Sequence, residues 1–264
     1  MGRSWKPCSC RSLPQAGERV RQVLRLISAE QLKWRRTFIP QLVWITPLLT
    51  LLLCALLMGG RYFQTGAYNW WYTMLLPGAL TLVCSLAVQK DAKLKYRALL
   101  ALPLRPQALW SAKVAAVAGW LLGTCLLFFT GVTSSGWLFG PTLPLLNSAA
   151  GSLLIFVTLL WQIPLCLFLA ARLGLFAAVL INMALNIAGV VTFDMGGLWD
   201  FMPYTIPFRL MCPVLHILPN GLPVPEGSPL RSTDTILRDV LASLAWFGSL
   251  FFLTARSFRR QEAH

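Results

Sequence analysis

The chain has 264 residues, of which 56% are hydrophobic and 12% charged, and its formal net charge is +14. A soluble domain carries about 25% charged residues, and disordered chains are polar and poor in aromatics, so an ordinary cytosolic enzyme and a disordered chain are both excluded. In a soluble protein the basic excess would point to nucleic acid; in an apolar chain it reports membrane orientation, and its distribution decides.

Residues 1–17 read as a disordered basic arm, with no apolar core of the signal-peptide kind. Cys8 and Cys10 form a C-x-C with no second pair or nearby His, too few ligands for zinc. Of the remaining cysteines, Cys54, Cys84, Cys125 and Cys166 lie in apolar runs, and Cys212 is expected in an external loop. From 18 to 38 the spacing predicts an amphipathic helix. Val20, Val23, Leu24, Ile27, Trp34 and Phe38 share one face, and the basic residues, among them Lys33, Arg35 and Arg36, lie mostly elsewhere. That pattern suits a helix lying in the cytoplasmic interface.

Six segments approach the roughly 20 apolar residues that a bilayer core requires: 39–58, 70–88, 114–133, 148–171, 173–193 and 237–255. Pro40, Pro47, Pro77 and Pro164 fall inside them, which spanning helices tolerate when neighbours satisfy the freed carbonyls. The fold class is therefore an all-α integral membrane protein. It has an interfacial helix over 18–38, a six-helix domain over 39–258 and a tail over 259–264. The charges divide by side. Residues 1–38 carry a net +7, 89–113 a net +5, Arg172 +1 and 256–264 +2. The opposite loops hold Arg61, nothing over 134–147, and a net −2 over 194–239. By the positive-inside rule both termini are cytoplasmic. Trp70, Trp71, Trp137 and Trp199 near the outer ends, and Trp34 and Trp110 near the inner ends, read as interfacial belts.

Between the second and third spans, residues 90–102 read as a short helix that stops at Pro103, and Pro106 can start the next one. A helix carrying force into the spans and a charged loop that only sets topology fit this pattern equally. The outer segment 194–236 holds seven prolines, and its apolar pieces are too short to span. Gly119 and Gly123 form a G-x-x-x-G, extended by Ala115, which permits close helix packing. Gln162, Asn182 and Asn186 are polar groups at membrane depth, fit either for interhelical hydrogen bonds or for a transport path.

Catalytic and metal motifs are missing from the sequence. It has no Walker phosphate loop and no H-E-x-x-H. No acid or base lies mid-span as an ion-coupling group. Gly131–Gly136 is only loosely like a nucleophile loop, with no partner base. If the chain moves something, a partner supplies the energy. A membrane scaffold and a membrane-embedded enzyme are the competing readings, and the second lacks its catalytic pair.

Several stretches resemble ABC-2-type transporter permeases of the lantibiotic-immunity branch. Residues 28–37 (SAEQLKWRRT) are similar to the family's entry to the first span, and 62–72 (YFQTGAYNWWY) to its first outer loop. Residues 89–103 (QKDAKLKYRALLALP), with Leu109, Trp110 and Lys113, are similar to its first cytoplasmic loop, and Pro219-Asn220-Gly221 also fits. The resemblance covers 28–258 and departs where Gln89 stands for a common acidic residue. It implies a permease subunit in a bacterial cytoplasmic membrane, paired with a second permease of the same or a different kind. Two copies of a separate ATPase would bind ATP and Mg, so this chain itself holds no cofactor. The complex would expel lantibiotics or other cationic peptides. The 90–102 helix would be the coupling element, with Lys90, Asp91, Lys93, Lys95, Tyr96 and Arg97 at or beside the ATPase contact.

Overall fold

The computed structural model describes residues 16–93, 106–192 and 202–261. The described residues are helical, apart from turns and one isolated bridge between Ile217 and Pro223. In chain order the helices are α1 (Ala16–Trp34), α2 (Ile39–Leu57), α3 (Phe63–Trp70), α4 (Leu76–Lys93), α5 (Pro106–Phe139), α6 (Leu145–Leu159), α7 (Gln162–Leu173), α8 (Leu175–Val191), α9 (Ile206–Leu215) and α10 (Ile236–Gln261). A π-helical turn, Trp71–Leu75, joins α3 to α4, so that 60–89 run as one long apolar rod. Among the described residues, four helical runs are long and apolar enough to cross a membrane, and α6 with α7, taken as one bent span, makes a fifth. The remaining apolar helix, α8, has 17 residues, about 26 Å at 1.5 Å per residue.

Prolines shape the rods, and neighbouring side chains repair the damage. Pro47 lies inside α2 and has no N–H to give the carbonyl of Val43. Thr124 on α5 donates its hydroxyl to that carbonyl at 3.1 Å. Pro164 stands in the first turn of α7, where its ring would clash with the carbonyl of Leu160 in a continuous helix. The axis bends by 42° between α6 and α7 at that point. The expected span over 148–171 is thus a broken one.

The rod of α3 and α4 lies at the centre, packed on α2, α7 and α8. Small residues along α4, among them Ala79, Thr81, Cys84, Ser85 and Ala87, allow close approach. An aromatic layer fixes α3 to α5: Trp71 stacks on Phe128 at 4.3 Å, Tyr68 meets the same ring edge-on at 5.2 Å, and Phe63 stacks on Phe139 at 4.6 Å. Gly131 admits the approach of α2 to α5, and Gly136 this crossing. A Cβ on the first would come within 2.5 Å of Leu51, and on the second within 2.8 Å of the Gln64 amide.

Several expectations are corrected. The stretch 62–72, read as an outer loop, is helical and its Phe63, Gln64, Ala67 and Tyr68 are buried. Its polar residues find partners far along the chain: Tyr68 donates its hydroxyl to the Ser148 carbonyl, and Asn69 donates its amide to the carbonyls of Leu218 and Pro219. Cys212 is not in an external loop but buried within α9. The tryptophan belts are incomplete, because Trp34, Trp71 and Trp110 belong to the core, while Trp137 is exposed. Gly131–Gly136 is helical, with Ser134 and Ser135 bonded to their own turn. In the G-x-x-x-G stretch, Gly119 meets no neighbour, and Gly123 only grazes Val43 at 3.9 Å.

Candidate functional site

The entry helix docks on the bundle through an ionic joint. Ile27, Glu30 and Trp34 recur at i, i+3 and i+7, so they share one face of α1. That face packs on α5. Glu30 is buried between two ammonium groups: Lys33 reaches one carboxylate oxygen at 2.6 Å, and Lys113 the other at 3.0 Å. Lys113 is also buried and donates to the carbonyl of Ala87 on α4 at 3.0 Å. Trp34 and Trp110 are buried in the same core, and Trp110 lies 5.3 Å from Phe258 of α10. A buried pair holds only if its remaining polar atoms are satisfied, and removing one partner strands the other. Glu30 and Lys113 therefore tie α1, the end of α4 and the start of α5 into one unit.

This joint flanks the expected coupling segment. Ala87 lies one turn before Lys90, and Lys113 two turns into α5. Lys90, Asp91 and Lys93 ride on the last turn of α4. Lys95, Tyr96 and Arg97 lie outside the described residues, as does the basic arm over 1–15. Pro106 opens α5, as its fixed φ favours. Of the entry-helix residues, Lys33 and Trp34 join the packed face, while Arg35 and Arg36 are exposed in the turn that follows. The sequence reading passed over Glu30. An acid at i, i+3 and i+7 with Ile27 and Trp34 was the available signal.

The intramembrane amides are internal. Asn182 is fully buried: its amide donates to the Thr81 hydroxyl at 2.7 Å, and its carbonyl oxygen accepts from the Tyr204 hydroxyl at 2.9 Å. Asn186 donates back to the Asn182 carbonyl at 3.0 Å. These bonds link α4, α8 and the turn Pro203–Thr205 that leads into α9. Gln162 is also fully buried, at the break before α7, and its amide atoms have no hydrogen-bond partner.

A different surface carries open polar groups. Two cavities, of about 330 and 490 Å³, follow one another along α5 and share Thr130 and Ser134. The first lies against Trp44, Pro47 and Leu51 of α2, and the second extends to Trp137 and Pro141. The hydroxyls of Thr130, Thr133 and Ser134 each donate to a carbonyl of their own helix. Their protons are thereby used, and each hydroxyl oxygen keeps lone pairs that can accept. The groove can receive N–H donors along an otherwise apolar wall. Gln64 closes one end, accepting from the backbone N–H groups of Thr142 and Leu143 at 2.8 and 2.9 Å and donating to Val132 at 3.0 Å. The hydroxyl spacing of 130, 133 and 134 on one helical face was the sequence signal for this groove.

Comparison of the chain with family models, with curated proteins and with solved structures gives no match.

Proposed function

We propose that the chain is the permease subunit of an ABC-2-type transporter that expels cationic antimicrobial peptides, such as lantibiotics, from a bacterial cytoplasmic membrane. Beyond the sequence resemblance, the observation that carries this reading is the buried joint of Glu30, Lys113 and the Ala87 carbonyl. It braces both flanks of the segment that an ATPase would push. The chain would cross the membrane six times, α8 included, with both termini on the cytoplasmic side, as the charge balance favours.

In this mechanism a separate pair of ATPase subunits binds ATP and Mg and closes against residues 90–102. The push enters α4 and α5 together, because Lys113 bonds across them, and reaches α1 through Glu30. Thr124 bonded to Val43 couples α5 to α2, so the groove between those two helices would change shape with the stroke. A peptide ammonium or amide could bond the lone pairs of Thr130 and Ser134 on its way out of the bilayer. A second permease chain, identical or different, would complete the path.

The test is reversal of the coupling charges. Lys93→Glu, Lys95→Glu and Arg97→Glu together should cut co-purification of the partner ATPase at least several-fold, while the chain still inserts into membranes. Unchanged co-purification would remove the coupling role. A susceptibility assay with a lantibiotic, with and without the complex, reads the transport function itself.

A further inference from the structure

The groove along α2 and α5 is built of neutral groups. α2, α3, α5 and the turn over 140–144 contain no Asp or Glu, and their basic residue, Lys113, is held in the Glu30 joint. Thr130, Thr133 and Ser134 have given their hydroxyl protons to their own helix and line the larger cavity as acceptors. Gln64 supplies the complement. It is buried, its oxygen accepts from Thr142 and Leu143, and its Nε2 donates one N–H to the Val132 carbonyl. A primary amide nitrogen carries two N–H groups. The second is left over on a residue that lines the same cavity of about 490 Å³. Gly136 lets this amide lie against α5, since a Cβ there would stand 2.8 Å from Nε2.

Spacing selects the shape of a partner. Thr130 and Ser134 are one helical turn apart, about 6 Å along α5. In an extended peptide the N–H groups of one edge recur at every second residue, about 6.6 Å. The two repeats match closely enough for alternate N–H groups to reach successive hydroxyl oxygens. From Leu127 to Trp137 the groove follows α5 for about 15 Å, the length of four or five extended residues. Trp44, Leu48, Leu127 and Trp137 give such a segment apolar flanks. An ammonium would find acceptors here but no carboxylate, and moving a charge from water into a neutral, largely apolar groove is costly. A lipid acyl chain would fill the space and leave the hydroxyl oxygens and the Gln64 N–H unused.

We propose that this groove recognises an uncharged, apolar peptide segment in extended form by its backbone amides, with N–H groups on Thr130 and Ser134 and a carbonyl on Gln64. The inference rests on the export reading for the identity of the peptide, and it narrows that reading. The cationic residues of the substrate lie outside the groove, and selection acts on an apolar stretch of its backbone.

The experiment uses the full chain in detergent micelles without an ATPase, so that it reads binding apart from transport. The probe is a capped peptide, Leu-Ala-Leu-Ala-Leu, with a photoactivatable leucine at its first position. A second form has two alternate amides replaced by esters, which removes only N–H donors, and a third has Lys at the central position. Labelled residues are mapped by mass spectrometry across a titration. The all-amide form should label the stretches 44–51 and 127–137. Its affinity relative to the ester form should fall at least fivefold, or about 1 kcal/mol, in the double variant Thr130→Val with Ser134→Ala. Comparing one pair of probes on two chains cancels their unequal partition into the micelle. Thr130→Ser with Ser134→Thr, which keeps both oxygens, should hold the parental ratio. The lysine form should label at least fivefold more weakly. A ratio that the double variant leaves unchanged, labelling confined to other parts of the chain, or a lysine form as tight as the all-amide one overturns the proposal. A transport assay that finds no peptide export would remove the export reading and leave the amide preference standing.

Discussion

The two ends of the bundle solve the same electrostatic problem in different ways. At one end Glu30 sits between Lys33 and Lys113; at the other Asp239 sits between Arg238 and Arg209. Each acid has one partner on its own helix and one on a distant helix. The Glu30 joint is packed among Trp34, Trp110 and the Ala87 carbonyl. The Asp239 cluster opens on a cavity and leaves Arg238 largely in contact with its surroundings. Burying a charge is costly unless every polar atom around it is satisfied. The closed joint spends its charges on holding three helices together. The open cluster holds two helices and still has donors to offer.

Breaking each acid in turn separates these roles most sharply. Glu30→Gln removes the carboxylate that Lys33 and Lys113 share, and should lower stability in micelles by about 3 kcal/mol, read as a fall in the midpoint of thermal unfolding. Replacing both charges, Glu30→Leu with Lys113→Met, should recover at least half of that loss, because neither charge is then stranded. Asp239→Asn should cost less, about 1–2 kcal/mol, since the cavity lets water reach the guanidinium groups that line it. Equal losses at the two sites would mean that openness does not distinguish them.

Much of the architecture is legible in the sequence, and the rest is hidden for a physical reason. Long apolar runs mark the spans, and α2 starts at Ile39 as expected. Pro106 marks the start of α5 because its missing N–H is free at that position. The stretch 62–72 misleads because Gln64, Tyr68 and Asn69 look like loop residues. Their partners, Val132, Ser148 and Leu218, lie 68 to 149 positions away. Local pattern cannot show such bonds, and the residues appear unpaired until the chain folds. The same holds for Glu30 and Lys113, which are 83 positions apart. Of the expected site residues, the entry helix is the part whose chemistry changed most. Its buried face carries an ion pair beside Ile27 and Trp34, while Leu24 and Phe38, expected on the same face, are exposed. The 90–102 element was read from charge and proline placement, and only its first turn falls within the described helix α4.

A neutral bond between the two ends gives the smallest and most discriminating effect. Thr124 donates to the Val43 carbonyl, the acceptor that Pro47 leaves open on α2. Thr124→Val keeps the shape of the side chain and removes only the donor. The orphaned carbonyl then costs about 1 kcal/mol, well below the loss expected at Glu30, because no charge is stranded. Thermal unfolding in the same micelles measures it beside the two acid variants. A loss as large as that of Glu30→Gln would mean that hydrogen-bond satisfaction, rather than buried charge, sets the strength of both ends. A small loss combined with a changed opening of the α2–α5 groove, read by cross-linking between Leu48 and Leu127, would place this bond among the contacts that shape the groove.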